Sequence, residues 1–97
     1  MRYAVRFSAH AKEDKIEIRE YLSNFYPATP KRFTKALKNH ISGLKENPYM
    51  YPVYPENPDY RCMGVDNYIV FYKIIEAVKE ITVLRILRAS WDLPKYL

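Results

Sequence analysis

Cysteine, glycine and histidine are scarce in this sequence of 97 residues, and long apolar runs are missing from it. The single cysteine, Cys62, excludes an internal disulfide and a cysteine-based zinc site, and we expect it to act as a small hydrophobe in a strand. His10 and His40 do not have the spacing of metal ligands, and no glycine-rich loop could hold a nucleotide. We therefore expect no metal and no cofactor.

No apolar stretch approaches the ~20 residues that a membrane span needs. The N-terminus, Met1 to His10, lacks the apolar segment of a secretory signal. The hydrophobic fraction of 48% and the aromatic fraction of 15% are those of a chain that folds around a core. The sequence thus predicts one domain over residues 1–97, a cytoplasmic location and no membrane contact.

The excess of positive charge lies entirely in the first half of the chain. The net charge is +5. Residues 1–48 contain ten basic and five acidic side chains, whereas residues 49–97 contain six of each. This asymmetry favours an acidic or polyanionic partner for the first half, although many basic proteins bind no such partner.

The first half has the pattern of a strand followed by two helices. Alternating apolar positions from Tyr3 to Phe7 predict a half-buried strand, and Ser8 is placed to cap the next helix. That helix, of about 15 residues, should end before Pro27. Thr29 can cap a second helix, whose apolar stripe is formed by four residues: Phe33, Leu37, His40 and Leu44. A short loop between two helices predicts an αα-hairpin.

The second half is predicted to be a connector followed by three strands. Residues 48–58 contain four prolines and should be irregular. The strands are expected at residues 60–65, 68–75 and 80–87, joined by turns at 66–67 and 76–79, which makes an antiparallel meander. The fold class is therefore α+β: an N-terminal strand, an αα-hairpin and a three-stranded meander, forming one sheet with the helices on one face.

Three arginines in the strand region could form an anion-binding cluster. Arg85 interrupts an apolar strand, and strand alternation places it with Ile81, Val83 and Leu87, with Arg88 on the other face. Arg61 begins the preceding part of the sheet. Guanidinium groups suit phosphate because they stay charged and offer several fixed donors. Equally, each arginine could pair with a carboxylate or extend to solvent.

Two further groups of residues could form binding surfaces. The second helix exposes a basic face that no acid interrupts, formed by Lys31, Arg32, Lys35, Lys38 and Lys45. Trp91 lies in the C-terminal segment and is a candidate interface anchor, because tryptophan is enriched at binding hot spots. Packing of Trp91 against the helices is an equally good interpretation.

Several short motifs, taken in order, resemble the RelE/ParE toxin superfamily. They cover nearly the whole chain: Tyr3-x-Val5-x-Phe7-Ser8, Ile18-x-x-Tyr21-Leu22, Leu44-x-x-Asn47-Pro48, Tyr60-Arg61, the strand after Asn67, and Val83 to Arg88. The resemblance implies a toxin of a type II toxin–antitoxin system, neutralised by a cognate antitoxin that wraps an acidic or amphipathic segment around it. It also implies that operator DNA is bound only by the toxin–antitoxin complex.

The superfamily has two activities, and the resemblance leaves both open. RelE-like members cut messenger RNA in the ribosome, and ParE-like members inhibit DNA gyrase. The ribonuclease branch often has an arginine where this chain has Ile69, which favours ParE-like inhibition of gyrase over the ribonuclease. If the chain is an enzyme, it is a ribosome-dependent endoribonuclease, with Arg61, Arg85 and Arg88 stabilising the phosphate and Tyr96 acting on a proton. A plain interaction or nucleic-acid-binding module is the third interpretation.

Overall fold

The computed structural model describes residues 2–25, 29–91 and 93–97, in the predicted order of elements. The elements are β1 (Ala4–Phe7), α1 (Ala9–Phe25), α2 (Thr29–Glu46), β2 (Arg61–Val65), β3 (Tyr68–Ile75) and β4 (Glu80–Arg88), with 3-10 turns at Glu76–Val78 and Leu93–Lys95. Pro27 and the side chains of Phe25 and Thr29 lie outside the described residues. The predicted boundaries are correct to within two residues.

The four strands form one sheet in the order β1-β4-β3-β2. β2, β3 and β4 make the predicted antiparallel meander, and β1 joins it parallel to β4. The turn between β2 and β3 contains Asp66 in the left-handed conformation, at φ 54°. Within the described ranges, no helix combines the length and the apolarity needed to cross a bilayer.

The core lies between the helices and one face of the sheet. Phe33, Leu37 and Leu44 of α2 pack there against strand residues such as Val70 and Tyr72. Ile41 belongs to this stripe and is buried. The prediction that His40 belongs to the stripe is wrong, because Ile41, the next residue along the helix, faces the sheet in its place.

A smaller cluster covers the opposite face of the sheet. It consists of Tyr54, Phe71 and Leu87, with Cys62 and Leu93 packed against it. The ring of Tyr54 meets that of Phe71 edge to face, with centroids 5.2 Å apart. The irregular connector and the C-terminal turn thus fill this face with apolar side chains, and Cys62 is the small hydrophobe that we expect.

A β-bulge in β4 changes which residues share a face. Phe71 is opposite Arg85, whereas the next residue of β3, Tyr72, is opposite Val83. Leu84 is therefore an extra residue in β4, and the alternation of side chains reverses beyond it. Arg85 consequently lies on the face opposite to Val83.

This bulge corrects the predicted alternation around Arg85. Ile81 and Val83 belong to the core under the helices, and Leu87 belongs to the cluster on the opposite face. The prediction that Arg85 shares a face with all three is therefore wrong for Ile81 and Val83.

The start of α1 takes the place of a neighbouring strand along the second half of β4. Ser8 Oγ accepts a hydrogen bond from the Ala11 N–H at 3.0 Å, which makes it the predicted N-cap, and it donates to the Leu84 carbonyl at 2.9 Å. Asp14 Oδ2 accepts the Ile86 N–H at 3.0 Å. Beyond the end of β1, the backbone of β4 thus forms hydrogen bonds with side chains and not with a neighbouring strand.

Asp14 also forms a buried ion pair with Arg85. Arg85 donates from Nε to Oδ2 at 2.8 Å and from Nη2 to Oδ1 at 3.1 Å. The side chains of Arg85 and Asp14 are only 16% and 8% exposed. The carboxylate of Asp14 raises the pKa of the Arg85 guanidinium through these hydrogen bonds. The pair joins α1 to β4.

We predict that Asp14→Ala lowers the free energy of unfolding by roughly 3 kcal/mol, because breaking a buried pair leaves the other charge without a partner. Urea denaturation measures the change. Glu13→Ala, at an exposed neighbouring position, is the control and should change stability by less than about 0.5 kcal/mol. Equal effects of the two substitutions would contradict a stabilising role for the ion pair.

Candidate functional site

Arg85 uses its donors to hold the fold together. Besides its two hydrogen bonds to Asp14, its Nη1 donates to the Tyr96 carbonyl at 3.0 Å. The guanidinium therefore bridges α1 and the C-terminal segment. This is the carboxylate-paired alternative of the sequence analysis, and it leaves little of Arg85 for binding a phosphate.

Arg61 lies at a different place, against the irregular connector. Its Nη1 donates to the Tyr51 carbonyl at 2.7 Å, and its guanidinium carbon is 5.0 Å from the centroid of the Tyr49 ring. On the paired strand, the Tyr72 hydroxyl donates to the Pro48 carbonyl at 2.6 Å. Burial raises the pKa of Tyr72 to about 12. Arg61 and Tyr72 together fix the beginning of the connector to the sheet.

Arg88 lines a groove between α1 and the end of β4. Its guanidinium carbon lies 5.2 Å from the centroid of the Tyr21 ring. Among the described residues, no carboxylate forms an ion pair with Arg88. The groove has a volume of about 310 Å³ and a largely apolar lining that includes Ile18, Tyr68 and Trp91. Arg88 is thus the predicted arginine whose charge faces a cavity.

The structure does not bring Arg61 and Arg88 together. Arg61 is opposite Tyr72 and Arg88 is opposite Tyr68, so their partners on β3 are four positions apart, or ~13 Å along the strand. They also lie on the two strands that flank β3. In the observed side-chain positions, Arg61 contacts Tyr49 and Tyr51 whereas Arg88 contacts Tyr21, so the two guanidinium groups do not converge on one site.

The fourth predicted catalytic residue, Tyr96, contacts Trp91. The two rings are stacked with centroids 5.0 Å apart and an interplanar angle of 29°. Each side chain is 42% exposed. Tyr96 therefore extends the aromatic surface of the groove, and Trp91 combines a packed ring with an exposed edge.

The histidines and acids do not form a metal site in the described part of the chain. His40 Nδ1 lies 2.7 Å from the Ala36 carbonyl of its own helix, so it is a structural histidine. The described residues contain no group of three or more metal-ligating side chains. Two acids, Asp14 and Glu17, line the groove together with Arg88, and Asp14 is held by Arg85.

The predicted basic face of α2 is exposed. Lys31, Arg32, Lys35 and Lys38 all lie on the surface, whereas Lys45 is half-buried, and the described ion pairs include none of the five. Arg19 of α1 joins Lys31, Lys35 and Lys38 around a shallow depression of about 350 Å³. Sequence reasoning missed Arg19, because its place beside α2 depends on how the two helices pack.

In the sequence, the groove residue Tyr21 stands out only as part of the motif Ile18-x-x-Tyr21-Leu22. Its contact with Arg88 joins residues 67 positions apart, and the bulge at Leu84 helps to set which way Arg88 points. The sequence feature that could have indicated this groove residue was a tyrosine on the edge of an amphipathic helix. The sequence alone did not identify the arginine that it meets.

Comparisons with known proteins give one family and several structural relatives. The family model described as the ParE toxin of the type II toxin-antitoxin system parDE matches residues 5–93. No curated protein sequence matches the chain. The chromosomal ParDE system from Pseudomonas aeruginosa contains a chain with a TM-score of 0.74 and 18% identity, and the match covers 89% of this chain and 95% of that one.

Two other solved structures have the same fold. A chain of the toxin–antitoxin complex RelBE2 from Mycobacterium tuberculosis matches with a TM-score of 0.67 and 18% identity, over 91% of this chain and 99% of that one. A mutant of the Escherichia coli toxin RelE in the free state matches with a TM-score of 0.72 and 16% identity, over 99% and 93%. ParE and RelE toxins are therefore both similar to this fold.

We predict that Tyr96→Ala exposes Trp91, the single tryptophan, to solvent because it removes the stacked ring. Quenching of tryptophan fluorescence by acrylamide should become more efficient. Tyr49→Ala, at a half-exposed tyrosine of the connector, should leave the quenching unchanged. Unchanged quenching in Tyr96→Ala would contradict the stacked arrangement.

Proposed function

Because the chain belongs to the ParE toxin family of type II toxin–antitoxin systems, we propose that it inhibits DNA gyrase by direct protein contact. The observation that carries this proposal is the separation of the arginines: Arg85 is paired with Asp14, Arg61 holds the connector, and Arg88 faces a groove elsewhere. We also propose that the chain is located in the cytoplasm, where its predicted targets are found.

Ribonuclease chemistry needs more than the three arginines supply. Cleavage by the 2′-hydroxyl of RNA requires a base, an acid and a group that stabilises charge on one phosphate. Arg61 and Arg88 are separated by ~13 Å along the strand direction, and of the two acids that line the groove of Arg88, Asp14 and Glu17, the first is already paired with Arg85. Ile69 stands where the ribonuclease branch often has an arginine, which supports the same conclusion.

The filled face of the sheet also supports a non-catalytic toxin. Phe71 and Leu87 are fully buried there, and Tyr54 is 9% exposed. Their apolar side chains leave few donors to hold a phosphate on this face. A polar binding site for RNA is therefore not available there without a rearrangement of the connector.

The groove beside α1 is lined by residue types that are common where one protein binds another. Trp91, Tyr21 and Arg88 are of the residue types most enriched at binding hot spots. Trp91 is 42% exposed, so a partner can still bury part of its ring. We assign this groove to the contact with the target.

A cognate antitoxin is the second proposed partner. The structural relatives from Pseudomonas aeruginosa and Mycobacterium tuberculosis belong to a ParDE system and a RelBE2 complex. The exposed basic face of Lys31, Arg32, Lys35 and Lys38 suits an acidic antitoxin segment, since such a surface steers and binds opposite charge. We propose that operator DNA is bound only through the complex with the antitoxin.

RelE-like cleavage of ribosome-bound messenger RNA is the alternative. Arg88 remains without a carboxylate partner among the described residues, and it could bind a phosphate if Arg61 approached it. The fold does not discriminate between the two activities, because a RelE toxin has a similar TM-score to the ParDE chain. The alternative requires the groove and the connector to move on the ribosome.

A supercoiling assay with purified gyrase tests the proposal. We expect the toxin to inhibit supercoiling and Trp91→Ala to weaken inhibition roughly 30-fold, because loss of a hot-spot anchor costs about 2 kcal/mol. Val78→Ala, at an apolar residue that is 60% exposed in the turn before β4, is the control and should inhibit as the unchanged chain does.

A parallel assay of messenger RNA cleavage on ribosomes tests the alternative. Cleavage that disappears in Arg61→Gln, with supercoiling unaffected by the toxin, would overturn the proposal. This variant removes the charge and keeps an N–H donor on a shorter side chain.

A further inference from the structure

We propose that the chain binds the phosphate backbone of duplex DNA through a basic depression between its two helices, formed by Arg19, Lys31, Lys35 and Lys38. Binding of this kind does not depend on base sequence, so recognition of an operator sequence remains with the antitoxin complex. The inference rests on the proposed function for the source of the DNA, which is the duplex that gyrase holds. The contact with DNA itself needs no gyrase.

The basic depression collects positive charge from both helices. It has a volume of about 350 Å³, and its lining consists of Arg19 of α1 with Pro30, Lys31, Thr34, Lys35 and Lys38 of α2. All four cations are exposed, and the described ion pairs include none of them. The described lining contains no acid; the acid Glu20 lines the neighbouring depression. Several like charges without a counter-charge attract a polyanion.

The start of α2 carries its charges against the preference of a helix. Its first turn contains Lys31 and Arg32 and no acidic residue. Because the backbone dipoles already make the N-terminus of a helix positive, acids stabilise this end and cations repel it. An anion that binds beside Lys31 relieves this repulsion and is itself attracted by the helix. The placement of the charges therefore favours the helix with a bound anion over the free helix.

The spacing of the cations suits a row of phosphates. Lys31 and Lys38 are seven residues apart on α2, or ~10 Å along the helix. One strand of duplex DNA places a phosphate every ~3.4 Å along its axis, so about three phosphates fit this length. Lys31, Lys35 and Lys38 follow one side of α2, and Arg19 adds a fourth charge from α1. The depression can thus neutralise about four phosphates.

The lining of the depression favours a duplex over a single strand and over a protein segment. Its described residues include no aromatic ring, whereas single-stranded nucleic acids are held largely by stacking of bases on such rings. Large apolar anchors, which fix a protein partner, are also missing from the same described residues. The acidic antitoxin segment therefore needs apolar contacts elsewhere on the chain. While it covers the depression, it excludes DNA.

The depression and the groove assigned to gyrase can be occupied together. The two have no described lining residue in common. Arg19 of the depression and Tyr21 of the groove are two residues apart on α1, so their side chains point ~160° apart around the helix. The duplex and the enzyme are thus bound on two sides of α1. The free toxin can hold gyrase and its DNA at the same time.

Fluorescence anisotropy of a labelled duplex of about 20 base pairs, titrated with the whole chain, tests the DNA contact. We expect a Kd on the order of 10 μM near physiological salt, with two unrelated base sequences bound equally within about twofold. Four phosphate contacts give a slope of about −3.6 for the logarithm of the association constant against that of the salt concentration. Binding should accordingly weaken on the order of 100-fold between ~50 and ~200 mM salt.

Two double variants that remove the same net charge provide the matched comparison. Lys31→Gln with Lys35→Gln should make the slope less steep by about 2 and weaken binding roughly tenfold at low salt. Both lysines are exposed, and glutamine forms helices about as well as lysine, so the fold is kept. Lys73→Gln with Lys95→Gln, on exposed positions of β3 and of the C-terminal turn, should leave the slope unchanged.

Three outcomes of this titration would overturn the proposal. Absence of binding at ~50 mM salt would remove the DNA contact, since electrostatic binding is strongest there. Equal losses in the two double variants would show attraction by net charge alone. Tighter binding of an RNA of the same sequence, lost again in Lys31→Gln with Lys35→Gln, would make the depression an RNA surface.

The supercoiling assay separates this inference from the proposed function. We expect Lys31→Gln with Lys35→Gln to weaken the inhibition of gyrase roughly fivefold, because the toxin loses two phosphate contacts. Inhibition equal to that of the unchanged chain would overturn the assignment of the DNA to gyrase. A toxin that binds the duplex as expected but leaves supercoiling unaffected would contradict the proposed function and leave the DNA contact standing.

Discussion

The carboxylate of Asp14 is the constraint on which the rest of this structure depends. It accepts the Ile86 N–H at an edge that has no neighbouring strand among the described residues, and it pairs with Arg85 in a largely buried position. Through Arg85 it also fixes the carbonyl of Tyr96. One acidic side chain on α1 therefore sets the position of the helix, of the second half of β4 and of the C-terminal segment.

The same interaction determines which surfaces remain for function. Since Arg85 is occupied by Asp14, the positive charge left to face the neighbouring groove is that of Arg88, beside Tyr21 and Trp91. The second proposed binding surface is the exposed basic face of α2, formed by Lys31, Arg32, Lys35 and Lys38. The chain can thus offer one surface to a target and another to an antitoxin.

The fold could be predicted from the sequence because local patterns specify it. Ser8 caps α1 as expected, and the meander follows the apolar runs and the turn at Asp66. The candidate site could not be predicted to the same extent. The bulge at Leu84 has no local signal, yet it decides where Arg85 and Arg88 point, and the partner of Arg85 lies 71 residues away.

The central claim is that the chain kills through contact with the replication machinery and not by cutting RNA. Pulse labelling of DNA and protein synthesis in bacteria, in the first minutes after the chain is induced without an antitoxin, tests this most directly. We predict that DNA synthesis fails first, together with a DNA-damage response. A stop in protein synthesis before any change in DNA synthesis would contradict the claim and favour the ribonuclease.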